Sequence, residues 1–162
     1  MIDTLMDQWP AIALWGLAAS AVMSTLLEGS RLLGWSRMSL PFLFGTFVTD
    51  RRDRAIVIGY GLYLLGGWLF AILYAAALFS LGTISWWAGL AIGTAHGLFL
   101  IAVFLPTLPA IHPRLATSYD GAHALTQLEP PGPFGLNYGR ATPLTTVLAQ
   151  ALFGAVLGLG LG

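Results

Sequence analysis

Glu28, Tyr63, His96 and Gln150 each interrupt an otherwise apolar run. An ionisable or amide side chain in such a run is expensive, and by default it marks a functional interior. Counted at 1.5 Å per residue from the arginine-bearing ends, Tyr63, His96 and Gln150 share a depth of about 10 to 14 Å. Glu28 joins them if its helix continues through "GSRLLGW". The four then offer one polar layer, a candidate ligand site. The bland alternative is equally concrete. Glu28 pairs with Arg31 three residues on, His96 donates to a backbone carbonyl, and Gln150 only joins helices.

A second constellation is basic. Arg31, Arg114 and Arg140 are candidates to gather around an anionic headgroup or small anion, because guanidinium grips phosphate with two parallel hydrogen bonds. The competing reading pairs them with Asp120 and Glu129. His112 stands beside Arg114 in "HPR", so Glu28 and His112 are the acid–base pair of a rival, enzymatic reading. That reading requires Glu28, His112 and Arg140 to converge.

Other chemistries lack their residues. The chain has no cysteine and three histidines, His96, His112 and His123, with no HxxxH or ExxH pair on one helix face, so no metal site is expected. No serine sits in a nucleophile elbow, and no aspartate dyad lies in an apolar run. Nucleic acid is not an expected partner, since no basic helix or aromatic–basic alternation is present. No catalytic residue and no cofactor is assigned.

The elements that must position these groups are plain. The chain has 162 residues, 57% hydrophobic and 9% charged, against roughly 25% charged in an ordinary soluble domain. Four runs are long enough for a hydrocarbon core of about 30 Å: residues 11–29, 55–81, 84–105 and 143–162. The expected fold is all-α, a single integral membrane domain over residues 1–162. Its four transmembrane helices form a tight bundle with a structured cytoplasmic loop over 106–142. Glycines at 89, 93 and 97, and at 154, 158 and 162, form ridges that let helix backbones approach. Asp50 is placed to cap the second span, with Asp53 in its first turn. Pro106 and Pro109 are expected to stop the third, and Pro143 fits the start of the fourth.

All seven basic residues are arginines. Arg31, Arg37, Arg51, Arg52 and Arg54 lie between the first and second spans, and Arg114 and Arg140 between the third and fourth. Arginine marks the cytoplasmic side, so both termini are expected outside, in a bacterial inner membrane. "MIDTLMDQWP" carries acids where a signal peptide needs bases, so the first run is read as a retained helix. Between the arginines, "LPFLFGTF" is too short to span and is expected at the interface or dipping back into the protein. "LEPPGPFGLNYGR" is read as shaped backbone folded over the cytoplasmic mouth.

The run of Glu28, Arg31 and Gly34, with "LPFLFGT", "HG" at 96–97, "HPR" at 112–114 and "LEPPGPFGLNYGR", resembles a group of small bacterial four-helix membrane proteins with no assigned activity. The resemblance covers most of the chain. It implies the four-span architecture and no reaction, substrate or cofactor. The function expected is non-enzymatic: binding or passing a small ligand or lipid, or serving as an accessory subunit. The bilayer is one partner, with a homo-oligomer or larger membrane complex left open. A transporter is a third reading, weakened by the lack of an inverted repeat.

Overall fold

The computed structural model describes residues 2–116 and 128–162. The chain is all-α, with a short α1 (Ile2–Asp7) followed by α2 (Trp9–Leu32), α3 (Leu40–Val48) and α4 (Arg52–Ser80). Then come α5 (Trp86–Phe99), a π-helical turn over Leu100–Phe104, α6 (Leu105–Ile111) and, last, α7 (Thr142–Leu161). Four stretches are long and apolar enough to cross a membrane: α2, α4, the continuous rod Trp86–Ile111, and α7. This is a multi-pass membrane protein.

Several boundaries shift by a few residues from the sequence expectation, and two of the shifts have a visible cause. The first helix does not stop near Gly29 but runs on to Leu32. It ends where Trp35 N bonds to Ser30 O and Gly34 N to Arg31 O, with Gly34 at φ 73°. That hydrogen-bond pair needs a left-handed residue, and glycine adopts one without penalty. Nor do Pro106 and Pro109 stop the third helix, which reaches Ile111. The wide turn before them explains this: Leu105 N bonds to Leu100 O, five residues back. Widening the helix by one residue relieves the clash between a proline ring and the carbonyl one turn earlier. Residues 106–111 of the expected loop are therefore helical. At the start of α4, Asp53 lies in the first turn as expected. No capping bond from Asp50 occurs among the described residues; Thr49 Oγ1 accepts from Arg51 N instead, at 3.3 Å.

Packing divides the chain into two compact units. The first comprises Met1–Leu27, Leu64–Leu98 and Val147–Gly162. Here the two glycine ridges meet. A Cβ added at Gly89 would strike Gly154 O, one at Gly93 would strike Gln150 O, and one at Gly158 would strike Ser85 O. The α5 and α7 backbones touch directly, which only missing side chains permit. Likewise α2 meets α4 where Gly16 faces Ala71 and Gly67 faces Ser20. Ala71, Ala75, Leu78, Phe153 and Leu157 are fully buried, while Leu14, Leu65, Leu69, Leu98 and Leu159 face outward. Hydrocarbon accepts such an outer surface, whereas water does not.

The second unit comprises Glu28–Tyr63 and Phe99–Thr146. It contains every arginine in the sequence. The apolar segment between arginines becomes α3, which packs into the protein with Leu40, Pro41, Leu43, Gly45 and Thr46 buried. Ser39 caps it, accepting from Phe42 N at 3.3 Å. Gly45 lies against the Ala55 carbonyl and Gly59 against that of Pro41, so α3 and the first turns of α4 are also in backbone contact.

Candidate functional site

The second unit builds a pocket of about 350 Å³. Its polar lining residues are Arg31, Arg37, Arg52, Ser39, Tyr60, Glu129 and Tyr138, and its apolar ones are Phe42, Leu43, Ile56 and Leu128. Each part is placed by local chemistry. The glycine turn after α2 swings the chain so that Arg37 N donates to Tyr138 O at 2.6 Å. The Arg37 side chain reaches Asn137 O and forms a two-point pair with Glu129, at 3.1 and 3.2 Å. Arg31 is paired with Glu28, and Tyr60 flanks Glu28 from α4. Arg52 opens α4 and has no acidic partner among the described residues.

The stretch 128–140 is indeed shaped backbone. Gly132, Gly135 and Gly139 all have positive φ, and so does Phe134 at φ 55°. Tyr138 closes the turn on itself, its hydroxyl donating to Glu129 O at 2.7 Å. Burial first, then the Glu129 charge, pushes the Tyr138 hydroxyl well above its usual range, against a smaller opposing pull from Arg37; it stays protonated and remains a donor. Asn137 Nδ2 donates to Pro130 O at 2.9 Å. Below the turn, the buried hydroxyls of Ser36 and Thr142 meet at 2.8 Å. The cap is thereby bound to the 33–39 linker by several independent contacts.

"HPR" has a different task. His112 is 3% exposed. Its Nδ1 accepts from Arg114 N at 3.1 Å and Leu115 N at 3.2 Å, while Nε2 lies 3.1 Å from Leu43 O and 3.2 Å from Thr46 Oγ1. Two donors at Nδ1 require the neutral ring protonated at Nε2. Burial lowers the affinity of His112 for a second proton; the Leu43 bond opposes this in part, and the Arg114 charge adds a smaller lowering effect. Arg114 donates to Thr46 O and Phe47 O. These carbonyls end α3, where a cation meets the negative end of the helix dipole. Phe47 packs edge-on to His112 at 4.1 Å.

The expected basic trio is thus dispersed. Arg31 lines the pocket, Arg114 holds the opposite end of α3, and Arg140 is exposed. Of the expected polar layer, Glu28 and Tyr63 belong to the second unit, and His96 and Gln150 to the first. Glu28 takes Arg31, the simple pairing. Tyr63 is buried against Phe44. His96 Nδ1 meets the Tyr74 hydroxyl at 2.9 Å under the Phe70 ring. Gln150 is buried where α7 crosses the α5 ridge. His123 and Asp120 lie outside the described residues. Among the described residues, no group of histidines and acids is arranged to hold a metal. Sequence reasoning missed Arg37, Arg52, Tyr60 and Tyr138. Their one legible signal was a basic cluster, Arg31, Arg37 and Arg51 to Arg54, flanking an apolar segment too short to span.

The chain matches no protein-family model, no curated protein and no solved structure. The geometry alone carries the functional reading.

Proposed function

We propose that this protein binds a small ligand or lipid without catalysing a reaction, and that the pocket beside α3 is the binding site. The observation that carries the reading is its composition: three guanidiniums and one carboxylate lining the same cavity as aromatic and aliphatic side chains. Pockets of this kind, of a few hundred Å³ with a few convergent polar groups, are where small ligands bind. Among the described lining residues the carboxylate, Glu129, is held by Arg37. Glu28, just outside, is tied to Arg31, and both nitrogens of His112 are engaged by the chain. We place the protein in a bacterial inner membrane with the seven arginines on the cytoplasmic side and both termini in the periplasm. The confinement of all seven arginines to one unit supports that orientation.

Ile56→Trp tests the site. It fills the pocket from a partly exposed position on α4. Native mass spectrometry from a mild detergent is expected to show a co-purifying ligand on the wild type and its loss from the variant at unchanged melting temperature. Equal retention would remove the pocket from consideration.

A further inference from the structure

We infer that the pocket recognises a phosphate group carried by a membrane lipid, with Glu129 acting as an internal carboxylate that the phosphate displaces. This deepens the binding reading above and rests on it. Three guanidiniums line the pocket; Arg31 is paired with Glu28 beside it and Arg37 with Glu129, so Arg52 is the positive charge left for an anion to neutralise. Arg52 has no acidic partner among the described residues, and Arg37 is held by Glu129 in the fork geometry that a phosphate's oxygens also satisfy. The pair is partly exposed, with the Arg37 side chain at 66% and Glu129 at 30%. Exposed pairs bind weakly and exchange readily. A phosphate bridging Arg37 and Arg52 replaces a one-to-one pair by a contact with two cations, and it releases Glu129 to water.

The volume and the apolar lining residues choose the carrier. At about 350 Å³ the pocket holds a headgroup and not a whole lipid. Phe42 and Ile56 supply an apolar wall, where the first part of a glycerol ester or acyl chain can lie. Arg31 and Arg52 stand on the end of one span and the start of another. Basic pockets between such span ends are where anionic headgroups bind from the cytoplasmic leaflet. A free phosphate has the same charge chemistry but gains nothing from the apolar wall.

The full chain in mild detergent is titrated with phosphatidylglycerol or phosphatidylcholine, and bound lipid is counted by native mass spectrometry. Glycerol 3-phosphate and inorganic phosphate serve as competitors. Phosphatidylglycerol is expected to bind at least about tenfold tighter than phosphatidylcholine, whose choline cation offsets its phosphate and is repelled by the arginines, and Arg52→Gln to remove about that factor. Glu129→Gln should act in the opposite direction, tightening phosphatidylglycerol about threefold, because it frees Arg37. A merely structural Glu129 would weaken binding or leave it unchanged, and either result overturns the displacement. Both lipids carry the phosphate, so a silent Arg52→Gln, binding either lipid as the wild type does, overturns phosphate recognition; if Ile56→Trp still sheds both lipids, the pocket reading itself survives. If Ile56→Trp sheds neither, both fall. Displacement by millimolar inorganic phosphate as effective as by lipid would keep the phosphate and reject the lipid carrier.

Discussion

His112 shows how a side chain suited to catalysis becomes a fixture. Its ring is buried, accepts two backbone donors at one nitrogen and donates to α3 from the other. A proton at Nδ1 would oppose both donors and stand beside the Arg114 charge. The folded chain therefore binds that proton less readily than the unfolded chain, whose histidine titrates near about 6.5. Below that pH the unfolded state takes up protons that the folded state refuses, so stability falls as pH falls. Above it, the contribution of the neutral ring is fully present. The melting temperature in detergent is expected to drop between about pH 7 and 5 more steeply in the wild type than in His112→Gln. Parallel slopes would assign the acid sensitivity to other groups. At pH 7.5, His112→Ala is expected to cost roughly 2–4 kcal/mol by stranding buried donors and the Leu43 carbonyl.

At the scale of elements, glycine acts in two distinct ways. Along α5 and α7 it removes bulk, so that Gly89 and Gly93 rest on the α7 backbone. Gly93→Leu must push two helices apart and is expected to cost roughly 3 kcal/mol or prevent folding. Leu98→Ala, at an outward position on the same helix, should change the melting temperature little. Equal behaviour of the two variants would refute the ridge. In the cap, glycine supplies conformation. Gly139 has φ 132°, and a Cβ there would lie 2.9 Å from Trp35 O. Gly139→Ala combines backbone strain with that contact and is expected to cost about 1–3 kcal/mol. An unchanged melting temperature would mean that the turn adapts freely.

At the scale of the whole molecule, arginine placement is the basis of the proposed orientation. All seven arginines fall in the unit that carries α3, the pocket and the cap, and none falls in the other. A periplasmic-active phosphatase fused after Gly162 is expected to be active and a fluorescent protein there dark. The reverse result would overturn the proposed topology.

Much of this architecture was legible in the sequence, because its causes are local. Twenty apolar residues in a row need a helix to satisfy their backbone in hydrocarbon, whatever else the chain does. Glycine every four residues marks a helix face before any partner is known. The same locality failed at Pro106: the residue predicts a stop, and a π-helical turn five residues long absorbs it. The site was legible only as an inventory. Arg31, Arg37, Arg52, Arg114 and Arg140 are the same residue type on similar polar segments, and nothing in their spacing says which share a wall. That was decided by the backbone contacts of α3 with α4, by the glycine turn that brings Arg37 to Tyr138, and by His112 and Arg114 seizing the far end of α3. These pairings join residues up to about a hundred positions apart, as in the contact of Arg37 with Asn137. Charge is a property of a residue, but a binding pocket is a property of distances, and only the folded chain sets those.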